Sequence, residues 1–259
     1  MQLPAVIHIA HSATLIPSDV RAELLLDDEA LEAELRAMTD HETDILFGVP
    51  SDVATPVVFP VSRLVVDPER FIDEDMEVMA SRGMGVIYTR TSSGRPLRKN
   101  LTSGQRAALL ERFYHPHHQR LTAAVSAALS EHGRCLLIDG HSFPSIPLPY
   151  ELDQDSARPD ICVGTDVVHT PSWLRDLAVE IFEGSGLTVA INKPFAGAMV
   201  PAEFLGHDRN VLPIMIEVNR RMYMDESTGR RASGFEFVAA EIGRTTHELI
   251  LRAGRRFYR

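Results

Sequence analysis

The sequence is poor in cysteine, and this scarcity excludes a fold held together by disulfides. Only Cys135 and Cys162 occur among the 259 residues, and each lies in an apolar stretch. Disulfide-stabilised domains are short chains with several paired cysteines. We therefore expect two buried free thiols and a core that hydrophobic packing alone is large enough to stabilise.

Basic residues and long hydrophobic runs are also scarce. The chain has 26 Lys and Arg against 36 Asp and Glu, which gives a formal net charge of −10. This balance argues against nucleic-acid binding, since a nucleic-acid-binding surface needs Lys and Arg to meet phosphates. No apolar run approaches the roughly 20 residues that span a bilayer, and no signal-peptide pattern opens the chain. We expect a cytoplasmic protein without a membrane segment.

Several common catalytic motifs are absent as well. The sequence contains no HExxH zinc motif, no glycine-rich phosphate loop and no serine nucleophile elbow. The chemistry must therefore come from single polar residues that end or interrupt apolar runs.

Apolar runs alternate with helical patterns along the whole chain. Strands are predicted at residues 5–10, 57–59, 63–67, 85–89, 134–139, 187–191 and 213–218. Helices are predicted at residues 28–47, 103–132, 171–184 and 233–252; Pro116 should kink or split the second, and Gly254 should end the last. This alternation predicts one α/β domain over residues 1–259, in three α/β/α layers around a mixed, mainly parallel sheet.

Histidines follow two of the predicted strands. His11 comes after the strand at 5–10, and His141 comes after the strand at 134–139, which we expect Gly140 to end. Sites in open α/β sheets form where the carboxyl ends of the strands meet. Catalytic zinc sites combine imidazole and carboxylate ligands and keep one position open for water. We predict one Zn²⁺ ion bound by His11 and His141.

A third metal ligand is expected from the acidic residues of segment 39–44. Asp40 and Asp44 are four residues apart, so on a helix they share one face. Spacing does not choose between them, and a solvated acidic helix end explains both equally well. Asp139 is a candidate to orient His141, because a ligating histidine usually donates its other N–H to a carboxylate.

The remaining histidines carry weaker signals. His8 lies in the middle of the first predicted strand, which favours a hydrogen-bonded core residue. His115, His117 and His118 lie in the predicted helix at 103–132, with Pro116 between the first two. This setting favours a helix-surface role over metal binding.

Glu217 interrupts the apolar strand predicted at 213–218. A carboxylate is costly to bury unless it is paired or functional. Near an activated water it suits a general base, and the alternative is a structural ion pair with Arg220. Arg63, Arg70 and Lys193 join Arg220 as candidate anion receptors, since guanidinium groups bind carboxylates through two parallel N–H bonds.

The order of four motifs resembles the N-formylglutamate amidohydrolase family, a zinc-hydrolase group related in fold to the zinc carboxypeptidases. The motifs are residues 9–12 with 39–47, residues 62–70, residues 139–142 with 164–166, and residues 192–197 with 216–224. Together they span about residues 5–226, which is most of the chain.

This resemblance implies a fold, a reaction and a set of site residues. The fold would be zinc-carboxypeptidase-like, and the reaction would convert N-formyl-L-glutamate to L-glutamate and formate, as in histidine degradation. The zinc ligands would be His11, His141 and an aspartate of the 40–44 segment, with Glu217 as general base. The substrate contacts would be Arg63, Arg70, Asn192 and Arg220. The expected partner is a small-molecule N-acyl amino acid, and the oligomeric state stays open.

Three departures from the family pattern keep other functions open. Ala13 replaces a usual Gly, Glu69 stands where many members have Asn, and residues 197–200 differ from a common Gly-Gly-Tyr-Ile. These changes affect the substrate assignment more than the metal motif. The alternatives are a related zinc amidase or carboxypeptidase for another N-acyl amino acid or a short peptide, and a non-catalytic metal- or ligand-binding relative.

Overall fold

A six-stranded sheet forms the centre of the computed structural model, which describes residues 5–257. In sheet order the strands are β2 (Thr55–Val58), β1 (Ala5–Ile9), β3 (Cys135–Phe143), β6 (Val211–Asn219), β4 (Ile161–Gly164) and β5 (Val189–Ile191). All neighbours are parallel except β4 and β6. The predicted α/β class with a mixed, mainly parallel sheet is confirmed. Residues 1–4 and 258–259 of the predicted domain lie outside the described residues.

Helices surround this sheet. They are α1 (Ser18–Arg21), α2 (Asp28–Met38), α3 (Thr43–Leu46), α4 (Ser103–Leu109), α5 (His115–His132), α6 (Ser172–Gly184) and α7 (Phe235–Phe257). Short 3₁₀ turns occur at Val78–Arg82 and Arg220–Met222, and β7 (Met224–Asp225) pairs with β8 (Arg230–Arg231). Between residues 5 and 257, no helix is long and apolar enough to cross a membrane.

The alternation of side chains along β1 assigns helices to the two faces of the sheet. Ile7 and Ile9 pack in the cluster that contains residues of α3, α6 and α7. Val6 points the other way and packs with Leu121 and Val125 of α5. Because strand side chains alternate, His8 shares the α5 face with Val6. Cys135 and Cys162 are buried and free, as predicted.

The helix predicted at 103–132 forms in three segments. A capping box between Thr102 and Gln105 starts α4, and a π-helical turn, Leu110–Tyr114, follows it. Pro116 lies at the start of α5, where its missing N–H disturbs the backbone ladder least. The helical backbone is continuous from Ser103 to His132, so the helix does not split at Pro116; the π-helical turn that directly precedes Pro116 is the only change in its backbone pattern.

Two predicted strands are wrong. Residues 63–67 and 85–89 form turns and irregular backbone, and one backbone hydrogen bond of 2.8 Å joins Asp67 N–H to the Val86 carbonyl. Val65, Val66 and Val86 are buried in a side cluster with residues from α4 and the π-helical turn. Packing under these helices explains the apolar pattern without strand pairing, an ambiguity that is inherent in short apolar runs.

The continuous helix predicted at 28–47 is also wrong. It forms as α2 and α3, because Thr39 is extended and Glu42 adopts a left-handed backbone with φ of 64°. Asp40 and Asp44 therefore do not share one helical face, so the helical spacing no longer makes them equivalent candidates for the third metal ligand.

Glycine breaks neither of the two elements where a break was predicted. β3 continues through Gly140 to Phe143, and α7 continues past Gly254 to Phe257. At Gly140 a Cβ atom would lie 2.7 Å from the Phe47 ring and 2.8 Å from Ile9 Cδ1. Gly140 therefore allows the residues around α3 and β1 to pack closely against β3, and it does not end the strand.

Candidate active site

Side chains from three neighbouring strands converge on the α5 face of the sheet. His8 of β1 is paired in register with Asp139 of β3, and His141 of β3 is paired with Glu217 of β6. Cα partners on parallel strands project their side chains to the same face. His11 lies just beyond the end of β1. The site residues on this face of the sheet are therefore His8, His11, Asp139, His141 and Glu217.

His141 lies between carboxylates on both sides of its ring. Its Nδ1 is 2.9 Å from Asp40 Oδ2, and its Nε2 is 3.0 Å from Glu69 Oε1 and 3.1 Å from Asp139 Oδ1. Burial opposes protonation of this ring, but Glu69, Asp139 and Asp40 outweigh burial and raise the pKa of His141 well above its usual value. The surroundings of His141 therefore attract a cation.

His11 is held from behind by a second carboxylate. Its Nε2 is 2.8 Å from Asp67 Oδ1. Its buried Nδ1 makes no hydrogen bond of ordinary geometry within the described part of the chain, and it faces Asp40 Oδ2 at 3.5 Å and Glu69 Oε2 at 3.9 Å. A ring fixed by a carboxylate with its other nitrogen unpartnered is typical of a metal ligand.

Asp40 joins the two histidines. Its backbone N–H donates to the His11 carbonyl at 3.0 Å, which places the extended residue beside the end of β1. Oδ2 faces His11 and His141, and Oδ1 accepts a hydrogen bond of 2.9 Å from Arg220. Neither Asp40 nor Asp44 belongs to the potential metal-binding groups found among residues 5–257. Asp44 is exposed on α3, whereas the Asp40 carboxylate lies beside both histidines. The structure thus places Asp40, not Asp44, in the cluster.

Glu69 is the acidic residue of the cluster that the sequence did not indicate as a site residue. It belongs to two groups whose potential ligand atoms lie within 4.8 Å of one another, His11–Glu69–His141 and His8–Glu69–Asp139. The only sequence signal was that Glu69 replaces the Asn of many family members. Its side chain is 18% exposed, so it lines the solvent-facing side of the cluster.

Glu217 is buried without a full set of partners. Its Oε2 has no hydrogen-bond partner among the described residues, and burial raises the pKa of Glu217 to about 8. His141 and Arg220 lower this pKa, whereas Asp40 and Glu69 raise it. The alternative of a structural ion pair is not supported, because Arg220 donates to Asp40, Ser142 and a backbone carbonyl. With this pKa, the Glu217 carboxyl gains or loses its proton near neutral pH.

Arg63 and Arg70 flank Asp67 at the mouth of the site. Arg63 donates to Asp67 Oδ2 at 2.8 Å and to the Tyr88 hydroxyl at 3.0 Å, and Tyr88 donates to the same Asp67 oxygen. Arg70 Nε is 3.6 Å from Asp67 Oδ2. Burial raises the pKa of Asp67, but Arg63 and His11 outweigh burial and hold this pKa well below its usual value. Two guanidinium groups thus line one side of the site.

The other predicted anion receptors have different surroundings. Arg220 is buried, and its donors are occupied by Asp40, the Ala37 carbonyl and Ser142. Asn192 adopts a left-handed backbone with φ of 56°, and its amide oxygen and nitrogen both bond to Thr165. Arg220 therefore positions Asp40, and Asn192 fixes the loops that follow β4 and β5. Lys193 is exposed.

A pair of histidines lies beneath the cluster. His8 Nδ1 is 2.8 Å from Asp139 Oδ1, and its Nε2 is 2.9 Å from His117 Nε2. Burial, followed by His8 and His118, lowers the pKa of His117 to about 2, so this ring stays neutral. The expected surface role is wrong for His117, which is fully buried, whereas His115 is exposed. Helical periodicity alone could not show that α5 turns His117 towards β1.

Comparisons with known proteins agree with the fold and with the family resemblance. A family model described as N-formylglutamate amidohydrolase matches residues 3–224. The crystal structure of N-formylglutamate amidohydrolase from Ralstonia eutropha JMP134 is 27% identical, with a TM-score of 0.84 over 98% of this chain and 95% of that chain. A gene product from Agrobacterium tumefaciens is 20% identical, with a TM-score of 0.67 over 94% and 90%, and this likeness concerns the fold alone. No curated protein matches the sequence.

Proposed function

The chain belongs to the N-formylglutamate amidohydrolase family, and on that premise we propose that it is a zinc-dependent enzyme that hydrolyses N-formyl-L-glutamate to L-glutamate and formate. The observation that carries the proposal is the juxtaposition of Glu217, a buried carboxyl with a pKa of about 8, and the histidine–carboxylate cluster around His141. General bases work best when their pKa lies near the operating pH.

The residues of the cluster fit a metal ion. Two imidazoles and a carboxylate are a common ligand set for catalytic zinc, and His11 offers a buried nitrogen without a hydrogen bond. We propose that His11, Asp40 and His141 bind one Zn²⁺ ion. Asp67 and Asp139 would hold the two rings from behind, which is the usual role of carboxylates around a zinc site.

Glu217 is the side chain that would transfer protons during the reaction. A zinc ion in this position supplies Lewis acidity, which activates water and polarises a carbonyl. Glu217 would accept the proton of the attacking water and then return it to the departing amine nitrogen. This sequence of transfers leaves Glu217 in its starting state at the end of each turnover.

We assign the substrate carboxylates to Arg63 and Arg70. Both guanidinium groups are partly exposed, with side chains that are 11% and 23% accessible, and both stand beside His11 across Asp67. Asn192 and Arg220 remain proposed substrate contacts, but they have fewer free hydrogen-bonding atoms, because Asn192 already bonds to Thr165 and Arg220 to Asp40.

A second candidate function follows from Glu69. A carboxylate beside both ligand histidines repels any substrate carboxylate that comes close to it. This disfavours N-formyl-L-glutamate, which carries two carboxylates, and favours a related zinc amidase or carboxypeptidase that acts on another N-acyl amino acid or on a short peptide with a single carboxylate.

The test is formate release from N-formyl-L-glutamate by zinc-loaded protein, beside a sample stripped with dipicolinate. The proposal predicts release that depends on the metal and returns when zinc is added back. N-acetylglutamate, other N-formyl amino acids and dipeptides form the comparison panel. Turnover of a panel member without formate release from N-formyl-L-glutamate would support the second candidate, and tight substrate binding without any turnover would indicate a non-catalytic relative.

A further inference from the structure

Three potential ligands meet beneath the proposed zinc site. His8 Nδ1 is 2.8 Å from Asp139 Oδ1 and 3.5 Å from Glu69 Oε1, and the three ligand atoms lie within 4.8 Å of one another. Adjacent ligands of a tetrahedral zinc ion, with bonds of 2.0–2.1 Å, are about 3.4 Å apart. Small side-chain shifts would therefore close this group around an ion.

The surroundings of each ligand leave the required atom available. His8 Nε2 lies 2.9 Å from His117 Nε2. When His117 carries its proton on Nδ1, its Nε2 accepts the N–H of His8 Nε2, and His8 Nδ1 presents a lone pair. This tautomer gives up the 3.4 Å contact between Arg120 Nη2 and His117 Nδ1. Asp139 Oδ2 accepts the backbone N–H of Met199 at 2.9 Å, and Oδ1 faces His8 Nδ1 at 2.8 Å and His141 Nε2 at 3.1 Å, so Oδ1 is the oxygen turned towards this group. Ligands supported in this way are typical of metal sites.

We propose that this protein holds a second divalent transition-metal ion, bound by His8, Asp139 and Glu69. The proposal rests on the proposed zinc site for the first ion. Glu69 belongs to both groups: its Oε1 is 3.0 Å from His141 Nε2 and 3.5 Å from His8 Nδ1, and its Oε2 is 3.9 Å from His11 Nδ1. The two oxygens of one carboxylate can therefore bridge the two ions, as in two-metal centres with a metal spacing of about 3.5–4 Å.

The burial of the ligands indicates the role of the second ion. His8 and Asp139 are 0% and 2% exposed, and only Glu69 connects the group to the partly exposed side of the cluster. A substrate cannot reach an ion held this deeply. The second ion would fix Glu69 and offset its charge, which removes the repulsion that Glu69 exerts on a substrate carboxylate.

The test is the metal stoichiometry of the full chain. Protein stripped with dipicolinate is reloaded with Zn²⁺, gel-filtered and analysed by mass spectrometry for metal content. The wild type should hold two ions per chain and His8→Gln should hold one. His115→Gln, which changes a histidine of α5 whose side chain is 39% exposed, should still hold two.

Cadmium NMR of the wild type tests the same point without a variant, in case His8→Gln does not fold. Saturation with cadmium-113 should give two resonances. One resonance with one zinc ion per chain overturns the second site and leaves the proposed function intact, whereas no bound metal overturns the zinc site of the proposed function as well. Two ions in a folded His8→Gln would remove His8 from the site.

Discussion

Asp67 and Asp139 each stand behind one of the two proposed ligand histidines. Asp67 Oδ1 is 2.8 Å from His11 Nε2, and Asp139 Oδ1 is 3.1 Å from His141 Nε2. Both carboxylates are buried, so each ring is held with its Nδ1 towards Asp40. Towards the proposed zinc ion, these aspartates act through the histidines that they orient.

Replacing Asp67 should therefore weaken metal binding without removing a ligand. We expect Asp67→Asn to lower zinc affinity by about 10- to 100-fold, the usual effect of losing such a partner. Competition against a chromophoric chelator measures this affinity. Asp44→Asn, at an exposed residue of α3, is the matched control and should bind zinc like the wild type. Equal affinities of the two variants would contradict the positioning role of Asp67.

Glu217 should make the stability of the metal-stripped protein depend on pH. Burial raises the pKa of Glu217 from 4.5 to about 8 in the folded state, so the folded state binds this proton more tightly than the unfolded state. Its stabilising contribution is complete below pH 4.5 and is lost as pH rises towards 8. Urea unfolding between pH 5 and 9 should show a smaller loss in Glu217→Gln than in the wild type. Parallel curves would show that the carboxyl is not perturbed.

The polar residues that end or interrupt apolar runs account for most of the cluster. His11 and His141 follow such runs, Glu217 interrupts one, and the structure brings all three together with Asp40. Glu69 could not be found in this way, because it lies in a turn beside Pro68 and its partners come from β1 and β3. The choice between Asp40 and Asp44 depended on the left-handed backbone at Glu42, which helical spacing does not predict.

At the scale of the elements, β3 and the segment between α2 and α3 fix the site. β3 carries Asp139 and His141 on one face, and it can pass close to α3 only because Gly140 has no side chain. The break after α2 turns Asp40 towards the end of β1, where its N–H bonds to His11.

A side chain at Gly140 should therefore be poorly tolerated. We expect Gly140→Ala to destabilise the protein by about 1–3 kcal/mol, because the new Cβ would overlap Phe47 and Ile9. Chemical denaturation measures the change in the free energy of unfolding. Gly104→Ala in α4 meets open space and should be neutral or slightly stabilising. A neutral Gly140→Ala would mean that α3 can move away from β3.

Short apolar runs were the least predictable elements. The runs at 63–67 and 85–89 have strand composition but pack beneath α4 and the π-helical turn without pairing. The runs of β1, β3 and β6 were predicted well, because these strands lie inside the sheet, which buries them on both faces.

At the scale of the whole molecule, the proposed zinc ligands come from segments that are far apart in sequence. His11 follows β1, Asp40 lies between two helices, and His141 lies near the end of β3. An ion bound to all three would connect these segments in the folded chain, and the unfolded chain offers no such site.

Metal removal should therefore destabilise the fold. A ligand at 100 times its Kd stabilises the folded state by about 2.7 kcal/mol. We expect dipicolinate to lower the Tm of the protein by several degrees, and added Zn²⁺ to restore it, as followed by calorimetry. An unchanged Tm in protein shown to have lost its metal would contradict a site that joins these three segments.

The most direct test of the account is the turnover number of Glu217→Gln on N-formyl-L-glutamate, measured together with its zinc content. A glutamine keeps the shape of the side chain but cannot accept the proton. The account predicts zinc content equal to that of the wild type and a loss in kcat of about 10²- to 10⁴-fold, the usual contribution of a general base. A Glu217→Gln protein with full zinc content and kcat within threefold of the wild type would contradict it.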